Sequence, residues 1–257
     1  MRPSSFALSS STMSRHIAIG SALVRVDDDQ PTFWDRVAAG AWEPETIAAY
    51  EAETGPGTFV VDLGAWVGPL AILAAVRGAR VLAVEADPAA LDQLRRNLAA
   101  NPDLASRVDV LARAVAADTG PVRLGARRKP GDSMSSVLLA GGATAWNADG
   151  VTPASLLAAR RPGERVFVKL DIEGGEYALL PSLWPLLREA GATLLLSLHP
   201  EFLRESGEAD PAGRGMSALA GAAGWPATRL DRPREASGPP TREELSTAST
   251  WLFRPPS

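Results

Sequence analysis

The sequence predicts an α/β fold with a doubly wound, mostly parallel Rossmann-like sheet, and three observations predict it. From residue 58 onward, apolar runs of strand length alternate with helical runs. The first strand, residues 59–61, runs through Asp62 into a loop with Gly64 and Gly68 and then into a helix. The second, residues 81–84, ends on Glu85, about 20 residues on, where a nucleotide-binding βαβ unit places an acid for a ribose.

The elements follow in order. Residues 17–27 alternate β-branched with polar types and read as an edge strand, closed by an acidic turn at 27–31. Residues 33–40 and 44–53 read as two short helices, a cover in front of the nucleotide fold, and Gly55-Pro56-Gly57 punctuates the chain before the first core strand. The helix over 69–76 carries a buried stripe of Leu70, Leu73 and Val76, with Ile72 beside it. Asp87-Pro88 opens the next helix with an N-cap carboxylate and a proline at the first helical position. Leu91, Leu94 and Leu98 line its inner face, and residues 108–111 form the third strand.

Residues 117–152 are rich in Gly, Arg, Ser and Ala, with poor periodicity, and read as loops or a short hairpin inserted beside the site. Thr152-Pro153 starts a helix to about residue 159. Strand 165–170 ends on Asp171. Helix 176–189 shows Leu180, Leu183, Trp184 and Leu187 at i, i+3, i+4 and i+7. Strands at 193–198 and 249–253 complete the alternation. The expected organisation is a frayed head (1–16), a strand and helical cover (17–57), and one catalytic-type domain (58–257) carrying the insertion.

Composition narrows the function. A chain of 257 residues with 46% hydrophobic content suits one large α/β domain. A net charge of -4 argues against a nucleic-acid partner. The chain has no cysteine, which excludes disulfides and thiolate metal sites and suits a cytoplasmic setting. Only His16 and His199 offer imidazole, so a multi-histidine metal site is excluded. No apolar window reaches the roughly 18 residues of a membrane span. The Ser-rich, basic head lacks a secretory stretch; an organellar address is its rival reading, and Met13 is an alternative start.

Nicotinamide folds use G-x-G-x-x-G, which seats a pyrophosphate on a helix N-terminus. Here the spacing is D-x-G-x-x-x-G, from Asp62 through Gly64 to Gly68. That loop suits a ligand with no pyrophosphate, whose ammonium-bearing tail meets Asp62 while Glu85 takes the ribose hydroxyls. S-adenosylmethionine has both features. Contacts are expected at Asp62, Gly64, Ala65, Gly68, Glu85 and Ala86, with an adenine edge near residues 112–114. The bland alternative is that both glycines only form a strand–helix turn. A nicotinamide oxidoreductase lacks its third glycine here; a non-catalytic Rossmann-like nucleotide-binding protein is the alternative, against which the acids described next weigh.

The segment VFVKLDIEGGEYALL puts Asp171, Glu173 and Glu176 just past a strand's carboxyl end, where open α/β sheets bind ligands. His199 ends the next strand. Methyl transfer to a hydroxyl needs positioning and a base. Pocket logic assigns Asp171, His199 and Glu173 as catalytic, with His199 as base; a carboxylate serving as base or orienting the imidazole is the alternative. A Mg²⁺ on Asp171 with Glu173, joined by His199, is a second mechanism, though its ligand set is thin. The structural alternative is that Glu173 or Glu176 caps the helix. Lys169 reads either as a buried partner of these acids or as an edge residue.

Together these residues resemble the FkbM family of S-adenosylmethionine-dependent methyltransferases. The likeness runs over about residues 33–202, through FWDRVAAGAWEPET, FVVDLGAWVGP, VLAVEADPAALDQLRRNLAAN, VKLDIEGGE and LSLHPEF. It implies a seven-stranded class I methyltransferase fold with one antiparallel strand at the edge, and O-methylation of a small-molecule or glycan acceptor such as a sugar, glycolipid or polyketide-type product. It carries cofactor binding onto Asp62, Gly64, Gly68 and Glu85, and an active-site role onto Asp171, Glu173 and Glu176. The base role of His199 is not inherited from it.

Trp34, Trp42 and Trp66 sit around the cofactor loop and read either as packing of the cover or as rings over a cofactor or sugar. Glu43 reads as a helix-start acid or as a residue reaching the site. Arg127, Arg128 and Lys129 form a basic run, a solvated loop or a grip on a phosphate-bearing acceptor.

Overall fold

A computed structural model describes residues 14–232 and 238–256 of the chain. Most of the expected head, 1–16, lies outside the described residues. The expected edge strand is a hairpin, β1 (Ser14–Ile19) and β2 (Ala22–Asp27), paired antiparallel from Ser14↔Asp27 to Ile19↔Ala22. Gly20-Ser21 supplies the two-residue turn that one continuous strand would not need. Helices α1 (Pro31–Ala38) and α2 (Pro44–Glu53) follow, each with proline in its first turn, where no N–H is needed.

The core alternates β3 (Thr58–Leu63), α3 (Pro69–Val76), β4 (Arg80–Glu85), α4 (Pro88–Ala99) and β5 (Val108–Ala112). The insertion is more ordered than its composition suggested. It forms a small sheet from β6 (Ala114–Val115), β7 (Pro121–Ala126), β8 (Ser135–Ser136) and β9 (Ala145–Val151), in the order β6-β9-β7-β8. Its strands pair with one another, and their buried apolar residues, Ala114, Val115, Leu124 and Ala126, are too few and too small to make a strong alternation in the sequence. After α5 (Pro153–Leu157) come β10 (Arg165–Leu170), α6 (Glu176–Ala190), β11 (Thr193–Leu198), α7 (Pro200–Glu205), α8 (Pro211–Ala218), β12 (Ala227–Arg229) and β13 (Ser249–Phe253).

The main sheet has seven strands in the order β12-β13-β11-β10-β3-β4-β5. Strands β5, β4, β3, β10 and β11 run parallel. β13 is antiparallel to both of its neighbours, so the reversed strand sits one position in from the edge rather than at the edge as expected. The short β12 covers it. The chain winds outward from β3 through β4 to β5, then crosses back to β10 on the other side of β3. The strand order therefore reverses between β3 and β10, and ligands of open α/β sheets bind at that switch point.

Period-2 alternation sorts the core. Phe59, Val61 and Leu63 of β3 join Val166, Val168 and Leu170 of β10 on the face covered by α6, with Leu180, Leu183, Trp184 and Leu187. Val60 and Phe167 face the other way, toward α3, the hairpin and Tyr50 of α2. Helix α3 is buried nearly all round, because the hairpin and α2 cover the side a surface helix would show to water. That overturns one detail of its predicted stripe: Val76, at the helix end, is 42% exposed. Trp34 is fully buried in the same cluster, which settles it as packing.

Candidate active site

The alternation that builds the core also builds the site. Two residues beyond Val60 and Phe167, on the same face, stand Asp62 and Lys169, directly opposite each other in the β3–β10 register. Both are buried. Lys169 Nζ donates to the Gly64 carbonyl at 2.8 Å and lies 3.3 Å from Asp62 Oδ1 and 3.5 Å from Asp171 Oδ2. It is the buried partner of these acids, not an edge residue. Burial alone would pull its pKa down, but the charges of Asp62 and Asp171 more than reverse that and hold the ammonium. Burial pushes the Asp62 carboxyl up against the pull of Lys169. Among the described residues, Asp62 Oδ2 has no partner and Oδ1 has only the Lys169 ammonium at 3.3 Å. A buried carboxylate oxygen left without a donor calls for one from outside the protein.

The loop between β3 and α3 is held by two glycines at positive φ. A Cβ on Gly64 (φ 80°) would stand 1.9 Å from the Asp171 carbonyl oxygen, and one on Gly68 (φ 90°) would stand 2.2 Å from Leu94 Cδ1. Each glycine thus permits a close approach within the protein. Gly64 brings the ends of β3 and β10 together. Gly68 stands at the N-cap of α3 against Leu94 and is not among the residues lining the two cavities beside Gly64. Ala65 lines the larger cavity and Ala86 the smaller one.

Trp66, at φ 48°, ties this loop to its surroundings. Its backbone N–H donates to Glu85 Oε2 at 2.7 Å, its indole N–H donates to the Gly131 carbonyl at 3.1 Å, and its ring meets Phe33 edge-on at 4.4 Å. Glu85 is buried at the tip of β4, and burial raises its pKa. Its Oε1 accepts from the Ala86 and Asp87 amides at 2.8 and 2.7 Å. Oε2 alone keeps a free lone pair, which narrows the expected two-oxygen grip on a ribose. Asp87 caps α4 through Oδ1, and its Oδ2 takes the Gly131 amide and the Ser135 hydroxyl, both at 2.7 Å. The insertion is thereby strapped over the end of β4. Glu85, Ala86, Arg113, Ala114 and Val115 border a slot of about 70 Å³ beneath that strap.

Across Gly64 lies the acidic cluster. Glu176 is fully buried and acts as a clamp: Oε2 accepts the Gly174 amide at 2.8 Å, while Oε1 accepts the Ile172 amide at 2.8 Å and meets His199 Nδ1 at 3.1 Å. Its expected functional part reduces to this support. The turn it clamps presents Glu173 at φ 55°, a strained conformation for glutamate. His199 Nε2 stands 3.6 Å from Asp171 Oδ1 and 3.7 Å from Glu173 Oε2. Burial works against charging the imidazole, but Glu176, then Asp171 and Glu173, overcome it and push His199 up to about 10. Asp171 is held below the ordinary carboxylate range because Lys169 and His199 outweigh its burial. Glu173 goes the other way: burial, reinforced by Asp171 and Glu176, pushes it up to about 8 against the pull of His199. A histidine raised in this way holds its proton at neutral pH, which favours the alternative in which a carboxylate is the base over His199 as base.

Asp171, Glu173 and His199 can each offer a ligand atom within 4.8 Å of the others. The charged imidazole already supplies the cation this cluster needs, so a metal would have to displace its proton. Sequence reasoning underrated Lys169 and Glu43. The signal for Lys169 was a charged residue inside an apolar strand, two positions before Asp171. Glu43 stands at the N-cap position of α2 at φ 41° with no side-chain cap hydrogen bond, and it lines both the cavity of about 720 Å³ and a second one beside His199.

A sequence model of the FkbM methyltransferase domain matches residues 62–203. The chain belongs to the FkbM methyltransferase family. The matched range opens on Asp62 and includes every acid of the cluster and His199, whereas the front block around residues 33–46 lies outside it. An FkbM methyltransferase from Methylobacillus flagellatus is similar in structure at 19% identity and TM-score 0.46, over 83% of this chain and 51% of that one. The chain thus spans about half the length of that FkbM protein. A putative methyltransferase, YhhF of Escherichia coli, matches at 18% identity and TM-score 0.44, over 95% of this chain and 99% of that one. A putative transferase of Pyrococcus horikoshii matches at 14% identity and TM-score 0.47, over 96% and 74%. No curated protein matches the chain. Among the described residues no helix is long and apolar enough to cross a membrane.

Proposed function

We propose that the chain is an S-adenosylmethionine-dependent O-methyltransferase acting on a hydroxyl of a small molecule or glycan. One observation carries the reading. Asp62, with Oδ2 unpartnered, and Glu85, with one lone pair of Oε2 free, stand at neighbouring strand ends, and Asp171 and Glu173 stand across Gly64 at the switch point. The donor's chemistry fits these residues: its ammonium suits Asp62, its ribose suits Glu85 Oε2, and Arg113 to Val115 border the place for its base. The slot of about 70 Å³ shares Gly64, Trp66, Asp171 and Glu173 with the cavity of about 720 Å³. When bound, S-adenosylmethionine supplies a methyl group made electrophilic by its sulfonium.

The chain's own residues do the rest. Glu173 takes the proton of the acceptor hydroxyl, and a base with a pKa near the working pH is the effective kind. Asp171, kept ionised by Lys169 and His199, orients that hydroxyl. The His199 imidazolium balances the two carboxylates, and Glu176 fixes its ring. The division into a cover (17–57) and a methyl-transfer domain (58–257) belongs to the same reading, as do a non-nucleic-acid acceptor and a cytoplasmic setting. The modest negative charge and the lack of cysteine support the last two.

Glu85→Ala should weaken S-adenosylmethionine binding by about 1.5–3 kcal/mol in calorimetry, the usual loss for a hydrogen bond to a charged group. Unchanged affinity would remove Glu85 from the ribose site. The test of the reaction is methyl transfer across a panel of glycosides at varied pH. The wild-type rate should rise as pH climbs through about 8, where Glu173 loses its proton, and Glu173→Gln should abolish that limb. Activity should survive exhaustive EDTA; its loss would make the cluster a metal site instead.

A further inference from the structure

The cavity of about 720 Å³ has walls of two chemical kinds. Around the ends of β3 and β10 stand Glu43, Asp62, Asp171 and Glu173, with Lys169 between the two aspartates. Elsewhere the lining includes Arg36 on α1 and Arg128, Lys129 and Asp132 in the loop between β7 and β8. Two segments about ninety residues apart thus bring three cations to one cavity. Their side chains make no hydrogen bond or ion pair among the described residues. The run they belong to shows the contrast: neighbouring Arg127 is bound to Glu205 at 2.5 Å, lies over the Phe202 ring at 4.3 Å, and does not line the cavity. The Arg128 and Lys129 amides donate to Asp132 Oδ2 at 2.8 and 3.3 Å, which fixes the loop while leaving both side chains free. Part of the wall is aromatic, with Phe33 edge-on to both Trp42 (5.2 Å) and Trp66 (4.4 Å).

We infer that the acceptor is a hydroxylated saccharide bearing a phosphate, its phosphate held by Arg36, Arg128 and Lys129 and its ring laid on the Trp42 wall. This deepens the proposed methyl transfer and rests on it. Guanidinium forks suit phosphate oxygens, and indole faces suit the apolar face of a sugar. A polyol without an anion would leave three cations with nothing to bind. The acceptor hydroxyl then lies at the acidic wall, beside Glu173.

The experiment is calorimetry on the full chain saturated with S-adenosylhomocysteine, titrated with glucose 1-phosphate or glucose, or mixed with phosphatidylinositol or phosphatidylcholine vesicles. The proteins compared are wild type, R36Q/R128Q/K129Q and the control R95Q on α4. A phosphate-bearing probe, free or in vesicles, should bind wild type and R95Q alike and the triple variant about tenfold or more weakly. The free-sugar and vesicle arms tell a soluble from a lipid-linked acceptor. Equal binding by all three proteins, or binding of no phosphate probe, overturns the inference. A triple variant that instead loses S-adenosylhomocysteine also overturns it, since the cations would then serve the cofactor's carboxylate. Failure of wild type to bind S-adenosylhomocysteine at all would sink the methyltransferase mechanism itself and is read separately.

Discussion

Methyl transfer by an Asp171→Asn variant is expected to fall by on the order of 10², the cost of misplacing a reacting group, while S-adenosylmethionine still binds. Asparagine keeps the shape of the side chain but not its charge. Asp171 stands 3.5 Å from Lys169 and 3.6 Å from His199, and those two cations hold it ionised. Losing the charge also removes one of the carboxylates that push Glu173 up. The Glu173 limb should therefore move to lower pH in whatever activity remains. The cofactor contacts at Asp62 and Glu85 are untouched, so turnover and binding should separate cleanly. A fully active variant, measured as initial rate with saturating donor, would take Asp171 out of the mechanism.

The second large effect is on stability. Lys169→Met should destabilise the fold by about 3–5 kcal/mol, the usual result of removing one partner from a buried charge pair. Methionine fills much of the volume, so the loss is electrostatic rather than a cavity. Lys169 is 5% exposed and stands between Asp62 and Asp171, while its ammonium also satisfies the Gly64 carbonyl. Without it, Asp62 is left buried with no cation facing it and must carry an uncompensated charge or take up a proton. For a chain of this size the loss corresponds to a drop in Tm of about 10 °C. Urea unfolding monitored by tryptophan fluorescence measures it directly. Unchanged stability would mean that the two aspartates stay ionised without Lys169, contrary to the charge balance drawn here.

Much of the fold was legible because it is written in apolar periodicity. Helix α2, helix α3 and strands β10, β11 and β13 have the boundaries that the pattern of Leu, Val and Ile predicted. The inserted sheet was not legible, since Gly125 and Ser136 pair across it with no hydrophobic stripe to announce them. The reversed strand was misplaced for a related reason. β12 is three residues long, too short to show a period, so nothing marked a strand outside β13. At the site, the loop and both carboxylate groups were found because strand ends concentrate function. The division of labour among the acids was hidden, because it depends on burial and on partners distant in sequence. Glu176 and Glu173 are three positions apart, yet one is consumed by two amides and an imidazole while the other faces the cavity. His199 was assigned as a base on its intrinsic pKa, and only the three surrounding carboxylates show that it carries the proton.

The most direct test of the central claim is a crystal structure of the protein grown with S-adenosylmethionine. The donor's ammonium should lie on Asp62, its ribose on Glu85, and its methyl should face the opening between Asp171 and Glu173. A structure with the donor bound elsewhere, or with its sulfur turned away from those two carboxylates, would contradict the account.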